Sequence, residues 1–237
     1  MTSHPMETPS AHQARIAGLL YLAIIVGAGF AEGYVRGTLV VPGDALTTAA
    51  NIRAAEGLFR LGFVTDLVAF LCDAALAVLL YLLLRPVSRS LAMVAAAFRL
   101  VQSAILGLNL VHHFAAVLVV GGAGALSAFT PEQLDALALL MMDVQRHGYL
   151  ISQMFFGVHC ALLGWLVVRA AYFPSVLGVL MAIAGVAYLA DGFGFFLAPA
   201  LAARVTGALM APVILAEVGF CLYLLVKGVK APEAAAA

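Results

Sequence analysis

Nine ionisable side chains stand inside stretches that are otherwise apolar: Glu32, Asp66, Asp73, Arg99, His112, His113, His159, Asp191 and Glu217. A charge within a membrane span is costly and turns toward a bundle interior or a wet cavity, so each is a candidate for function. Asp66, Asp191 and Glu217 have no obvious cation. A carboxyl kept from bulk water can hold a proton and pass it to a bound molecule, the work of a general acid or base. These three are the catalytic candidates, with His113 and His159 assisting. The plainer alternative has them hydrogen-bonded to hydroxyls and backbone carbonyls. Arg99 needs a counter-charge, and Asp73 lies at a compatible depth on the preceding span. Asp73–Arg99 is the expected buried ion pair, organising the site or simply pinning two helices in register.

Helical spacing gathers further polar groups. Arg99, Gln102, Leu106, Asn109 and His113 fall at offsets of 0, 3, 7, 10 and 14, one stripe of a helix. Asp66 and Asp73 share a face of the second span, and Tyr149, Gln153, Phe156 and His159 or Cys160 line one of the fourth. From the helical rise, Asp73, Arg99, His159 and Glu217 fall near the midplane, with Glu32, Asp66, His112, His113 and Asp191 in the outer half. Gln102, Asn109, Gln153, Tyr149 and Glu32 are therefore expected to line a polar cavity. It would open outward, between the second, third, fourth and sixth spans.

No metal or cofactor is assigned. His113 and His159 with Asp66 could make a metal or haem site, but neither HExxH nor CxxCH occurs. Cys72, Cys160 and Cys221, an odd number inside spans, are read as small apolar fillers. With no Gly-rich phosphate loop and no GxSxG, nucleotide and serine-hydrolase chemistry have no support.

Composition supplies the elements that must position these groups. Hydrophobic residues make up 65% of the chain and charged ones 10%, against about 25% charged in a soluble domain. That leaves too little polar surface to coat a globule. A net charge of zero without a basic run excludes a nucleic-acid partner. A bilayer core of about 30 Å needs roughly 20 apolar helical residues. Six segments qualify, about 15–35, 61–84, 91–120, 148–168, 174–197 and 205–226. None alternates apolar with polar residues, so helices rather than barrel strands are expected. The fold class is an all-α integral membrane protein, a bundle of about six transmembrane helices with two short outer-surface helices.

Punctuation refines the spans. Pro86 and Pro174 sit at span ends, Pro199 closes the fifth, and Pro212 should kink the sixth. Thr130-Pro131-Glu132-Gln133 is a capping box for a short helix over about 131–145 leading into the fourth span. Asp44 is the expected N-cap of another over 45–57. Residues 1–13 and 231–237 are expected to be disordered tails around one domain, 14–230. A secretory signal ending at Gly29-Phe30-Ala31 competes for the first span, but Glu32 and Tyr34 continue the helical pattern. Arg15, Arg85, Arg89, Arg169, Lys227 and Lys230 mark one side, which puts both termini in the cytoplasm. The long 36–60 and 121–146 loops, Arg36 among them, mix both signs.

The run Phe156-Gly157-Val158-His159-Cys160, then Leu163-Gly164-Trp165-Leu166, Pro174, Leu177-Gly178-Val179-Leu180, Gly185 and Tyr188-Leu189-Ala190-Asp191, resembles an uncharacterised family of bacterial multi-pass membrane proteins of unknown function. Arg15 to Tyr21, Val35-Arg36, Pro42-Gly43-Asp44, Asn51-Ile52, Glu56, Leu58-Phe59-Arg60, Asp73, Arg85-Pro86-Val87 and Phe98-Arg99-Leu100 extend it over nearly the whole chain. Residue 165 is Trp where the family often has Tyr. The resemblance implies about six helices and the bacterial inner membrane, and implies no activity.

Three functions fit these residues. The first is a membrane-embedded enzyme or binding protein for a lipophilic small molecule, with buried carboxylates as general acid or base and membrane lipid as its surroundings. The second is a small proton-coupled transporter using the same carboxylates as a relay, although no internal repeat or matched pair of broken helices supports it. The third is a metal- or haem-binding redox module. The sequence names neither a substrate nor an oligomeric state.

Overall fold

A peptide group in lipid has no water to bond, so each span must satisfy its backbone internally. The computed structural model describes residues 10–122 and 124–229, which form helices joined by turns. Six helices are long and apolar enough to cross a membrane: α1 (Ala11–Leu39), α3 (Glu56–Leu84), α4 (Arg89–Val120), α5 (Pro131–Arg169), α6 (Ser175–Leu197) and α7 (Pro199–Val226). The short α2 (Ala45–Ala54) lies between the first two. Large aliphatic side chains such as Val26, Leu108 and Ile214 are left bare, as suits a lipid solvent. The chain is an all-α integral membrane protein.

Local chemistry explains where the ends depart from expectation. The first helix starts at Ala11 rather than after a tail ending at residue 13, because Ser10 Oγ accepts from the amides of His12 and Gln13 at 3.2 and 3.4 Å. Residues 1–9 and 231–237 of the expected tails lie outside the described residues. At its other end α1 continues through a π-helical segment, Gly29–Arg36, so Arg36 belongs to the span and not to a loop. Asp44 caps α2, its Oδ1 accepting from the Thr47 amide at 2.9 Å and its Oδ2 from the Thr47 hydroxyl at 2.7 Å. The Thr130 and Gln133 side chains each accept from the other's amide, at 3.4 and 2.9 Å, and start α5. The expected short helix and fourth span are one element of 39 residues. Pro199, at the first turn of α7, begins that helix six residues before the expected 205.

Packing groups the chain into two compact units. The first comprises residues up to Leu22, Asp73–Gln102 and Gln153 onward; the second comprises Ala23–Cys72 and Ser103–Ser152. In the first, α5 and α6 meet backbone to backbone. Each carries the same spacing of small residues: Gly157, Ala161 and Gly164 on one, Gly178, Ala182 and Gly185 on the other. A Cβ at Gly164 would lie 2.5 Å from Gly178 O and Ala182 N, so only hydrogen fits. In the second unit Val35, Ile52, Phe59, Ala116, Val117 and Met142 form an apolar core that takes in α2 through Ile52. An ion pair from Arg53 of α2 to Asp135 of α5 fastens it further.

Candidate functional site

The π-helical turns of α1 present two charged residues to the second unit. Arg36, itself buried, donates from Nε to Glu32 Oε2 and from Nη1 to Asp66 Oδ2, both at 2.6 Å. Asp66, for which the sequence offers no obvious cation, therefore has one. The physical reason is the extra length of α1, which carries Arg36 inward. Glu32, four residues before Arg36, was the one signal for this, since that spacing and order favour an ion pair.

Arg36 Nη1 also lies 3.3 Å from His113 Nδ1, and His113 Nε2 lies 3.0 Å from Phe59 O. A guanidinium only donates and a carbonyl only accepts, so His113 is a neutral imidazole with its proton on Nε2. The Phe59 ring stacks on it at 4.0 Å. One atom of this cluster is left over. Asp66 Oδ1 is buried and has no hydrogen-bond partner. Glu32 of the same cluster is exposed.

The first unit holds a second cluster of the same composition. Arg99, wholly buried, donates to Asp73 Oδ1 from Nε at 3.0 Å and from Nη2 at 2.5 Å. Its Nη1 lies 3.1 Å from His159 Nε2, while His159 Nδ1 lies 2.8 Å from Ala95 O. His159 is thus neutral as well, with the proton on the opposite nitrogen. Tyr21 and Phe156 face the guanidinium at 5.1 and 5.0 Å, where the negative faces of the two rings attract its charge. With its amide oriented to donate, Gln102 reaches Asp73 Oδ2 at 2.8 Å. Here the ion pair is closed and hydrogen-bonded.

The remaining candidates find local partners. Glu217 accepts from the Tyr188 hydroxyl and feels the charges of Arg99 and Asp73. Asp191, buried, lies 2.6 Å from Thr206 Oγ1. Asn109 donates to Gln145 O at 2.6 Å, and Gly148 makes room for it: a Cβ there would lie 2.3 Å from Asn109 Oδ1. Tyr149 packs against the Ala69, Phe70, Leu106 and Leu110 core of the second unit, and Gln153 is half-buried. The α4 stripe of Arg99, Gln102, Leu106, Asn109 and His113 is buried throughout.

His113 and His159 belong to different clusters, each spent on an arginine and a carbonyl. Among the described residues no three His, Cys, Asp or Glu side chains are grouped to hold a metal ion. Besides Arg36, sequence reasoning missed Tyr21, Tyr188 and Thr206. Tyrosine and threonine are common in spans, and only the fold shows which of them meet a carboxylate or a guanidinium.

A family model described as a domain of unknown function, DUF4386, matches residues 16–228. An uncharacterised protein of Archaeoglobus fulgidus is 32% identical over 163 residues, which are 68% of this chain and 80% of that protein. No solved structure matches the chain.

Proposed function

The chain belongs to the family of the domain of unknown function DUF4386, and we propose that it is a membrane-embedded enzyme or binding protein for a lipophilic small molecule, whose donor head group docks on Asp66. One observation carries this reading: Asp66 Oδ1 is buried without a partner. Leaving such a group unmet costs on the order of 1–3 kcal/mol. A bound hydroxyl or ammonium would meet it. Charge favours the ammonium, because Glu32 and Asp66 carry two negative charges against the one positive charge of Arg36, with His113 neutral. Exposed Glu32 marks the approach, and π-helical segments recur at functional sites. In a catalytic version Asp66 Oδ1 takes a proton from the head group.

Thermal denaturation in non-ionic detergent with decylamine, decanol or decanoate tests the reading. Decylamine raises the Tm of the wild type with dose, decanoate does not, and Asp66→Asn stays folded without the shift. An equal shift in Asp66→Asn, or one with decanoate alone, contradicts it.

A proton could supply the same missing positive charge. In each cluster two carboxylates face one arginine: Glu32 and Asp66 at Arg36, Asp73 and the more distant Glu217 at Arg99. That repetition favours a proton-coupled carrier as the second reading. Proton uptake by loaded vesicles that persists in Asp66→Asn contradicts it. For either function we place the protein in the cytoplasmic membrane with both ends of the bundle facing the cytoplasm.

A further inference from the structure

Neither polar cluster uses an apolar groove in the first unit. About 650 Å³ in volume, it runs between α5, α6 and α7, with Trp165, Val168, Val179, Ala190, Ala208 and Pro212 among its walls. From Val179 to Ala190 it follows α6 for about 16 Å at 1.5 Å per residue. One leaflet of hydrocarbon is about 15 Å deep, half of a bilayer core. The groove therefore has the length of one acyl chain lying along the bundle from the membrane surface to its midplane.

One basic side chain stands against a wall of the groove. Arg169, the last residue of α5, is exposed and lies 5.1 Å over the ring of Trp165, a wall residue of the groove. No carboxylate pairs with Arg169 among the described residues. Arg85 and Lys227 follow the last residues of α3 and α7 and Arg89 is the first of α4, all outside or at the limit of spans, whereas the acidic residues described in this unit, Asp73, Asp191 and Glu217, are all inside spans. A tryptophan at the interface and a guanidinium beside it form a seat for an anionic head group.

We propose that this groove binds one acyl chain of an anionic phospholipid, with Arg169 holding its phosphate. The inference rests on residues separate from Asp66, so either can fail alone. Native mass spectrometry of the full chain in non-ionic detergent, with phosphatidylglycerol or phosphatidylcholine added, tests it. The wild type retains one phosphatidylglycerol per chain in preference to phosphatidylcholine. Arg169→Ala weakens phosphatidylglycerol retention about fivefold, the worth of one cationic contact of about 1 kcal/mol, and leaves phosphatidylcholine unchanged. Arg169→Lys keeps the preference. Ala208→Phe, on an exposed wall, lowers retention of both lipids without changing helix content. Equal retention of the two lipids by the wild type, or a preference that survives Arg169→Ala, overturns the proposal. So does an Ala208→Phe protein that keeps its lipid but changes oligomeric mass, which would put a second copy of the chain in the groove.

Discussion

At Asp66 the two oxygens of one carboxylate meet different surroundings: Oδ2 receives Arg36, and Oδ1 is buried without a partner. Removing the arginine leaves that charge alone in a dry place. Arg36→Ala should cost about 3 kcal/mol or more, and adding Asp66→Asn should restore part of the loss. Denaturation of the two single variants and the double variant checks this; strictly additive losses contradict it. Tyr172, in the turn after α5, makes a second residue-scale prediction. Its hydroxyl donates to Leu83 O at 2.7 Å, and burial pushes its pKa up to about 12. The folded value lies above the unfolded value of about 10, so the contribution to stability is full below pH 10 and lost as the pH rises through 12. In an ultraviolet absorbance titration, Tyr172→Phe should remove the absorbance change of one tyrosine near pH 12. Asp73 and Arg99 could be matched from type and depth alone. The partner of Asp66 could not, because a span counted at about 20 residues stops short of Arg36.

At the scale of elements, helix approach is set by what a Cβ would strike. Gly164→Ala places that atom 2.5 Å from backbone of α6, which cannot yield as a flexible side chain would. It should destabilise by roughly 1–3 kcal/mol. Gly207, on an exposed turn of α7 with nothing within 4 Å, is the control. Gly207→Ala should stabilise by about 0.5–1 kcal/mol through helix propensity. Melting of the two variants checks the pair, and losses of equal size contradict the packing argument. The six spans and the caps at Asp44 and Thr130 are legible in the sequence, because hydropathy and capping are local properties. The π-helical segment Gly29–Arg36 is not. Its widened turns end at Arg36, whose partner Asp66 lies thirty positions away, beyond the reach of a local reading.

For the molecule as a whole, the six spans among the described residues bring the end of α7 back to the side on which α1 starts. Ala11 and Gly228 agree, since a Cβ at Gly228 would lie 3.3 Å from Ala11 O. With that side cytoplasmic, an impermeant maleimide applied to intact cells should label Leu46→Cys and leave Ala171→Cys unlabelled, in a chain otherwise free of cysteine. The reverse pattern contradicts the orientation. Apart from Arg36, the charged residues inside spans can be read from the sequence; how they divide between two arginines cannot, because the α4 stripe carries members of both clusters and so does the α3 pair of Asp66 and Asp73. The central claim is that Asp66 Oδ1 awaits a donor from a bound lipophile. A structure of the protein with decylamine tests it most directly. The ammonium nitrogen should lie about 3 Å from Asp66 Oδ1; decylamine bound elsewhere, with that oxygen still unmet, would contradict it.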